Sequence, residues 1–396
     1  LLARPAAAQA VRGVLTETGT GRPVAGALVV LLDGSGKRQG GSFTDADGGF
    51  ALQAPAGGRY TLRAERVGFR TARSGELDLA PGRTVDHDLE MGGEALQIEG
   101  LVVRAEKRRC AALPEAGERT AALWDEARKA LDAAEWTSRR RYQYTLRRTV
   151  RRLNAASTRV ESERVERASG IAGNPIVSVP PERLAAEGFV GRLGDSAVYH
   201  APDAAVLLSD VFLDAHCFAV REGEGETRAL VGLEFEPVRG RRLPDIRGVL
   251  WLDPATAELR HLEYGYTGLE LAGPVERAGA RVEFERVPSG EWIVPRWRIR
   301  MPLTAADSVK LGMQWRVRRR VVAFDEVEGE VMEVRTAQGA LIRSTARAAL
   351  SGTVFDSTRA APLAGARVRL VGTAAEAETD AQGRFRIPHV SEGRYG

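Results

Sequence analysis

The densest run of reactive side chains is SDVFLDAHCFAV, which brings Asp210, Asp214, His216 and Cys217 close together in the chain. A thiol, an imidazole and carboxylates in one place can hold a metal through deprotonated sulfur and nitrogen, or can activate a thiolate for nucleophilic attack. Read as a strand, the run puts Asp214 and His216 on one side. A structural account competes with both chemistries: Cys217 pairs with Cys110, the second of two cysteines, while His216 meets solvent or a carboxylate. The structural account is preferred. Other signatures of catalysis fail directly, since the chain has no HExxH, no CxxC, no GxSxG elbow and no phosphate loop of Walker spacing. The sequence therefore nominates no catalytic residue and no metal ligand.

A second chemistry is suggested by TDADGGF at Thr44–Phe50. Asp45 and Asp47 alternate as in a calcium loop, but such a loop needs further oxygens and a closing bidentate Glu. No Glu follows in register, and a near copy, TDAQGRF at Thr379–Phe385, replaces Asp47 with Gln382. A tight turn accounts for both copies. Asp45 and Asp380 would cap it through their carboxylates, Gly48 and Gly383 would accept positive φ, and Phe50 and Phe385 would return to a core. The expected cofactor content is none.

The elements that hold these turns repeat as well. VRGVLTETGTGRPVAGALVVLLDG from Val11 to Gly34 parallels LSGTVFDSTRAAPLAGARVRLVGT from Leu350 to Thr373. Each has a short strand carrying Gly13 or Gly352, a polar turn, a Pro-x-x-Gly-Ala step, and an alternating run at Leu28–Leu32 or Arg367–Val371. Period-two runs broken by Gly and Pro every 8 to 12 residues or so predict an antiparallel β-sandwich. After the heptad the first copy continues through GGRYTLRAERVGFRT at Gly57–Thr71, whereas the second reaches only EGRYG at Glu392–Gly396. The second copy is read as incomplete.

In this order and twice over, the pieces G-x-V, P-V-A-G-A, T-D-A-D-G-x-F and G-x-Y-x-L-x-A-x-x-x-G-F resemble the carboxypeptidase regulatory-like domain. That resemblance implies a transthyretin-like, carbohydrate-binding-like sandwich of about seven strands at both ends. It covers an accessory domain and not a peptidase, so peptidase activity does not carry over. It also makes Tyr60 and Phe69 candidate platforms for stacking on sugar, although both residue types equally suit a core.

Between the repeats the pattern changes. GGEALQIEGLVVRAEKRRC reads as a linker with a strand at Ile98–Val103, followed by an amphipathic helix from Glu118 to Glu135. Leu123, Ala127, Ala130, Leu131 and Ala134 form its apolar face, with Asp125, Glu126, Arg128 and Lys129 opposite. Strands are expected at 229–235, 247–253, 259–266, 280–286, 292–301, 314–324 and 329–336, with an Asp-Pro turn joining the second and third. RRRYQYTLRRTVRRL at Arg139–Leu153 mixes arginine and tyrosine as nucleic-acid binders do. Alternation explains it better: Tyr142, Tyr144, Leu146 and Val150 face one way, while Arg141, Arg147 and Arg151 line the other face of a long strand. One helix on a curved antiparallel sheet resembles, in outline, the half-barrels of periplasmic lipoprotein carriers.

The expected architecture is mainly β: a signal remnant at 1–10, a sandwich at 11–91, a linker at 92–113, a central helix-plus-sheet domain at 114–346, and a partial sandwich at 347–396. Composition agrees with a globular chain, 43% hydrophobic and 28% charged over 396 residues. Fifty-seven basic residues against 53 acidic ones leave no strong field for nucleic acid. No apolar run reaches the roughly 20 residues of a membrane helix. LLARPAAAQA resembles the end of a secretory signal with an A-x-A cleavage site at Ala8 and Ala10, which places the chain in the periplasm, cell envelope or outer-membrane environment and permits a disulfide. The functional expectation is an exported, non-catalytic envelope protein whose sandwiches act as spacers or as docking surfaces for a glycan or protein. Alternatives are a lipid or apolar-ligand carrier using the central sheet, or an accessory part of a hydrolase or outer-membrane receptor. Hydrolysis would require His216 or His261 beside a carboxylate in a pocket.

Overall fold

The computed structural model describes residues 9–93, 114–139, 142–172, 176–193, 196–287, 289–311, 314–345, 347–359, 361–370 and 376–391. Residues 1–8, most of the linker, the Ile98–Val103 strand and Cys110 lie outside the described residues, while Gln9 and Ala10, read as the end of the signal remnant, belong to the first strand and pair with Ala54 and Gln53. The chain divides into two compact units, one comprising Leu1–Arg140, Thr149–Val165 and Asn174–Gly329, the other Arg141–Arg148, Glu166–Gly173 and Glu330–Gly396.

The first unit opens with a sandwich. Its strands are β1 (Gln9–Glu17), β2 (Leu28–Asp33), β3 (Arg38–Phe43), β4 (Gly49–Ala54), β5 (Gly58–Glu65), β6 (Ala72–Arg73), β7 (Leu77–Leu79), β8 (Thr84–Asp86) and β9 (Leu89–Met91). One sheet runs β4-β1-β8 with β9 also on β1, and the other runs β3-β2-β5-β6 with β7 on β5. The expected all-antiparallel pairing needs one correction, because β8 and β9 both join β1 in parallel. Val11, Leu15, Val29, Leu31, Phe50, Leu52, Leu62, Leu79 and Met91 fill the space between the sheets. Each such side chain contributes about 1.5–3 kcal/mol of transfer free energy. Strand β2 is not half-buried as its alternation suggests. Leu28, Val30 and Leu32 are buried too, forming a second cluster with Phe43 and Trp136.

Trp136 belongs to α1 (Pro114–Arg139), which starts earlier and ends later than the 118–135 expected. Its Leu123, Ala127, Ala130 and Leu131 are buried as the spacing predicts, but so are Glu126 and Lys129 on the flank read as solvent-facing. The helix has two covered sides: the sandwich on one, and strands of the central sheet on the other.

That sheet runs in the order β11-β10-β23-β22-β19-β17-β16-β15-β14, with two short strands on β23. Its members in chain order are β10 (Tyr142–Asn154), β11 (Val160–Ala172), then β12 (Val190–Leu193) and β13 (Ser196–Tyr199) in a separate hairpin. There follow β14 (His216–Glu222), β15 (Val231–Pro237), β16 (Asp245–Leu252), β17 (Leu259–Thr267), β18 (Leu271–Ala272), β19 (Gly279–Glu283), the small pair β20 (Glu285–Arg286) and β21 (Trp292–Ile293), β22 (Arg296–Leu311) and β23 (Gln314–Thr336). Short helices α2 (Pro181–Glu187), α3 (Ala204–Leu207) and α4 (Asp210–Ala215) lie between β11 and β14. The Asp253 turn joins β16 to β17 as expected, its carboxylate accepting from Ala255 and Thr256 N–H at 2.9 and 3.1 Å.

Two strand expectations are corrected. The separate strands at 314–324 and 329–336 are one strand, because the acidic stretch between them is neutralised where it stands: Arg300 reaches Glu326 at 2.6 Å and Arg151 reaches Glu328 at 2.8 Å. In β10 the buried positions are Tyr142, Tyr144, Thr149 and Leu153. The inward face changes parity after Leu146, so Val150 is only half-buried and Arg151 is a half-buried ion-pair partner rather than an outer arginine.

The second unit contains β24 (Leu341–Ser344), β25 (Arg347–Thr353), β26 (Phe355–Asp356), β27 (Ala361–Pro362), β28 (Arg367–Arg369), β29 (Glu376–Glu378) and β30 (Arg384–Ser391). Strand β25 pairs with β30 as β1 pairs with β4, placing Gly352 opposite Phe385 as Gly13 stands opposite Phe50. Its described strands correspond to only part of the first copy. Leu350 and Leu363 are 39% and 40% exposed where their counterparts Val11 and Val24 are 0% and 1%.

Candidate functional site

The duplicated heptad forms the same turn twice. In the first copy the Asp45 carboxylate accepts from the N–H groups of Asp47 and Gly49 at 3.0 and 2.7 Å, and Gly48 N–H closes on Asp45 C=O at 3.0 Å. In the second, Asp380 accepts from Gln382 and Arg384 N–H at 2.9 and 2.8 Å, and Gly383 closes on Asp380 C=O at 2.8 Å. Gly48 and Gly383 have φ of 76° and 68°, a region that penalises a side chain. The backbone bonds to Asp380, Arg384 first among them, hold its carboxyl below the usual range. Asp47 contributes its N–H to the turn, which is why Gln382 can replace it.

The sequence reading missed the first residue of the motif. Thr44 Oγ1 donates to Val24 C=O at 2.6 Å and accepts from Ala27 N–H at 2.9 Å. Thr379 makes the same two bonds, to Leu363 C=O at 2.6 Å and from Ala366 N–H at 2.8 Å. The threonine ties the turn to the Pro-x-x-Gly-Ala step. The recurrence of Thr beside Asp in both copies was the available signal.

The Asp210-to-Cys217 run is not a strand. Asp214 lies exposed on α4 while His216 begins β14, so the two do not share a face. Both nitrogens of His216 are engaged: Nδ1 lies 2.9 Å from Phe212 C=O, and Nε2 lies 3.2 Å from Ile246 C=O and 3.3 Å from Asp245. Burial would raise the Asp245 carboxyl, but His216, the Ile246 N–H and Arg241 outweigh it and hold the group below its usual range. His216 thus meets the geometric condition set for a hydrolase, and Ser209 lines the same pocket. The hydroxyl of Ser209 is spent on α4, donating to Val206 C=O and accepting from Phe212 N–H as its N-cap. The pocket has room for about 10 Å³, a single water, and does not fit an acyl chain or a drug-sized ligand. His261 stands 3.5 Å from Glu263 and beside the Trp251 ring; this partner, with Arg281, lowers the Glu263 carboxyl to about 2. Cys217 has a bonding partner and no free cysteine occurs among the described residues; its pairing with Cys110 falls outside them.

His-x-x-Glu spacing does occur, at His87–Glu90 and His389–Glu392. His87 is half-buried between β8 and β9 while Glu90 is exposed, and among the described residues no three His, Cys, Asp or Glu side chains gather to hold a metal. Of the proposed sugar platforms, Tyr60 is a correction: it is 6% exposed and its hydroxyl donates to Ala56 C=O at 2.8 Å. Phe69 packs partly against the core, with the Arg66 guanidinium 4.7 Å from its ring centre.

The most elaborate polar assembly is one the sequence concealed, where α1 meets the first sandwich. Lys129 Nζ donates to Glu126, Asp125 and the Phe69 carbonyl at 2.7, 2.8 and 2.8 Å, and the second Glu126 oxygen accepts from Gly68 N–H at 2.7 Å. Next to Lys129, Arg128 bridges Glu65 and Asp125 at 2.8 and 3.0 Å, while about one turn on Asp132 meets Arg38 and Arg63. Burial works against the Arg128 charge, but Glu65 and Asp125 more than offset it and raise its pKa. Beside this network Trp136 lies on Gly41, where an added Cβ would stand 2.8 Å from the ring, and Arg38 covers the ring at 5.4 Å. On its other side Thr137 Oγ1 accepts from Trp292 N–H at 3.2 Å and Trp124 packs on Phe218 at 5.4 Å. The helix is therefore a shared wall between sandwich and sheet.

Residues 10–92 and 349–396 match the carboxypeptidase regulatory-like domain family, about a third of the chain, so both ends carry this domain. No curated protein matches the chain. Among solved structures it is similar to the pilus 2b backbone protein of group B streptococcus, at 16% identity and a TM-score of 0.20, over 22% of this chain and 41% of that one. A hydroxyquinol 1,2-dioxygenase of Pseudomonas putida gives 14% and 0.19, over 23% and 58%. BcpA, the major pilin subunit of Bacillus cereus, gives 9% and 0.19, over 98% and 86%. The first two matches span less than two thirds of those proteins, and scores of this size carry no argument about this chain.

Proposed function

We propose that the chain is a non-catalytic, exported surface protein of the cell envelope, in which the sandwich modules are docking and spacing elements for a protein partner. The observation that carries this reading is the buried ionic wall at α1. A sandwich joined by a flexible linker would move freely, whereas this one shares a hydrophobic cluster and a charge network with the helix that also packs on the central sheet. Such an arrangement transmits load and fixes orientation, as a scaffold requires. The polar groups of the duplicated motif and of the His216 region are consumed in holding backbone. With Tyr60 in the core, a protein partner is favoured over a glycan.

Labelling of intact native cells with a membrane-impermeant amine reagent tests the reading, combined with alkylation before and after reduction. Surface labelling, with Cys110 and Cys217 alkylated only after reduction, is the expected result. A chain labelled only after lysis, with both thiols reactive from the start, would overturn it.

A further inference from the structure

We propose that the edge strand β11 is a self-association site, on which a second copy of this chain docks its own β11 antiparallel. Strand β11 closes one end of the large sheet, pairing with β10 alone among the described strands. Over 160–170 every residue except Glu166 is exposed on both faces, and Val160 and Val165 are 49% and 56% exposed. A strand of 13 residues with an open edge is a ready template for another strand.

The order of charges names the occupant. Around Val165 the chain reads Glu163-Arg164-Val165-Glu166-Arg167. Turned end for end against itself with Val165 opposite Val165, it sets Glu163 opposite Arg167 and Arg164 opposite Glu166, and each pair occurs twice by symmetry. Glu163, Val165 and Arg167 fall on one face and Arg164 and Glu166 on the other, so all four ion pairs join directly opposed side chains. Neighbouring registers fail. A slip of one residue opposes Glu163 to Glu166, or Arg164 to Arg167, and a slip of two opposes Arg164 or Glu166 to itself. Parallel in-register stacking opposes every charge to its like. Edge charges usually block pairing, but this sequence blocks all of these alignments except one.

The chain already uses the same chemistry on the inner side of β11. Arg151 pairs with Glu163 at 2.6 Å, Arg148 with Glu166 at 3.9 Å, and Thr145 lies 3.4 Å from Ser169. A second copy would extend each row, placing Glu163 between Arg151 and the neighbouring Arg167. The interface is isologous, so it closes as a two-fold dimer and does not propagate.

Light scattering on the full chain tests this with two variants. Arg164→Glu and Glu166→Arg each set like charges opposite at two points, and each alone should weaken dimerisation by about tenfold or more. Mixed in equal amounts, the two variants complement each other and should recover the dimer as a heterodimer. A Val165→Cys chain should form a covalent dimer on mild oxidation, because opposed Cα atoms lie about 4.5–5.5 Å apart. In a Val160→Cys chain the two thiols would be separated by roughly ten residues of strand, about 34 Å, and should not cross-link. The proposal fails if the wild-type chain is monomeric at about 100 μM, if the mixed variants stay monomeric, or if Val160→Cys cross-links as readily as Val165→Cys.

Discussion

Replacing Lys129 with Met removes the cation at the centre of the helix–sandwich wall while keeping most of its aliphatic volume. The ammonium is 3% exposed and all three of its protons are accepted, by Glu126, Asp125 and the Phe69 carbonyl. Glu126 is fully buried and would be left with the Gly68 N–H alone, an uncompensated charge. Breaking one side of a buried pair costs about 3–5 kcal/mol, whereas replacing both partners is often neutral. Glu126→Gln in the same chain keeps an acceptor for Gly68 N–H and removes the stranded charge, so the double variant should lose only about 1 kcal/mol. Hydrogen exchange followed by mass spectrometry on peptides covering α1 and Gly68 reads local opening without assuming that the whole chain unfolds in one step. The single variant should lose about two to four decades of protection, at about 1.4 kcal/mol per decade. Unchanged protection in Lys129→Met, or a double variant worse than either single one, would refute the reasoning that the network couples helix to sandwich.

Four further outcomes are expected. Thr44→Val strands the Ala27 N–H and should cost about 1–3 kcal/mol in thermal melts; Thr44→Ser should restore most of it, and calcium or chelator should leave the melting temperature unmoved because the Asp45 carboxylate is engaged by backbone N–H groups. Gly13→Ala should be far more damaging than Gly352→Ala by the same measure, since the added carbon would stand 1.9 Å from the His87 carbonyl oxygen in the first case and 2.9 Å from the adaptable Phe385 ring in the second. Glu263, lowered to about 2 chiefly by His261, contributes stability that is present above its ordinary value of 4.5 and lost as pH falls towards 2; in urea titrations at pH 5 and 2.5, Glu263→Gln should flatten that loss. If Cys110 and Cys217 are bridged, Cys217→Ser should lower stability by about 4–5 kcal/mol, with no further loss on adding reductant.

The two sandwiches were legible because their signals are local. Gly48 and Gly383 mark a backbone conformation, Asp45 and Asp380 cap a turn two residues away, and period-two runs mark strands, so a repeat of the letters is a repeat of the fold. The α1 spacing was legible for the same reason. The Glu126–Lys129 pair was not, because a charged flank on a helix reads as solvated unless a second element covers it. The one hint was Leu28–Leu32, read above as alternating although every position is apolar, and buried on both sides. The Asp214–His216 pairing failed because Ser209 caps a short helix, which outweighed the strand reading of the same residues.

What the sequence determined by itself was everything written in short range: mainly β architecture, two copies of one domain, the conformation of their turns, and the apolar stripe of one long helix. Only the tertiary structure decided which charges are buried, that β10 changes its inward face at Thr149, that β23 runs unbroken through its acidic stretch, and that β11 stands exposed at a sheet edge. Those features depend on residues far apart in the chain meeting as opposite charges or covering surfaces, and burial is a property of the neighbours a residue acquires rather than of the residue itself.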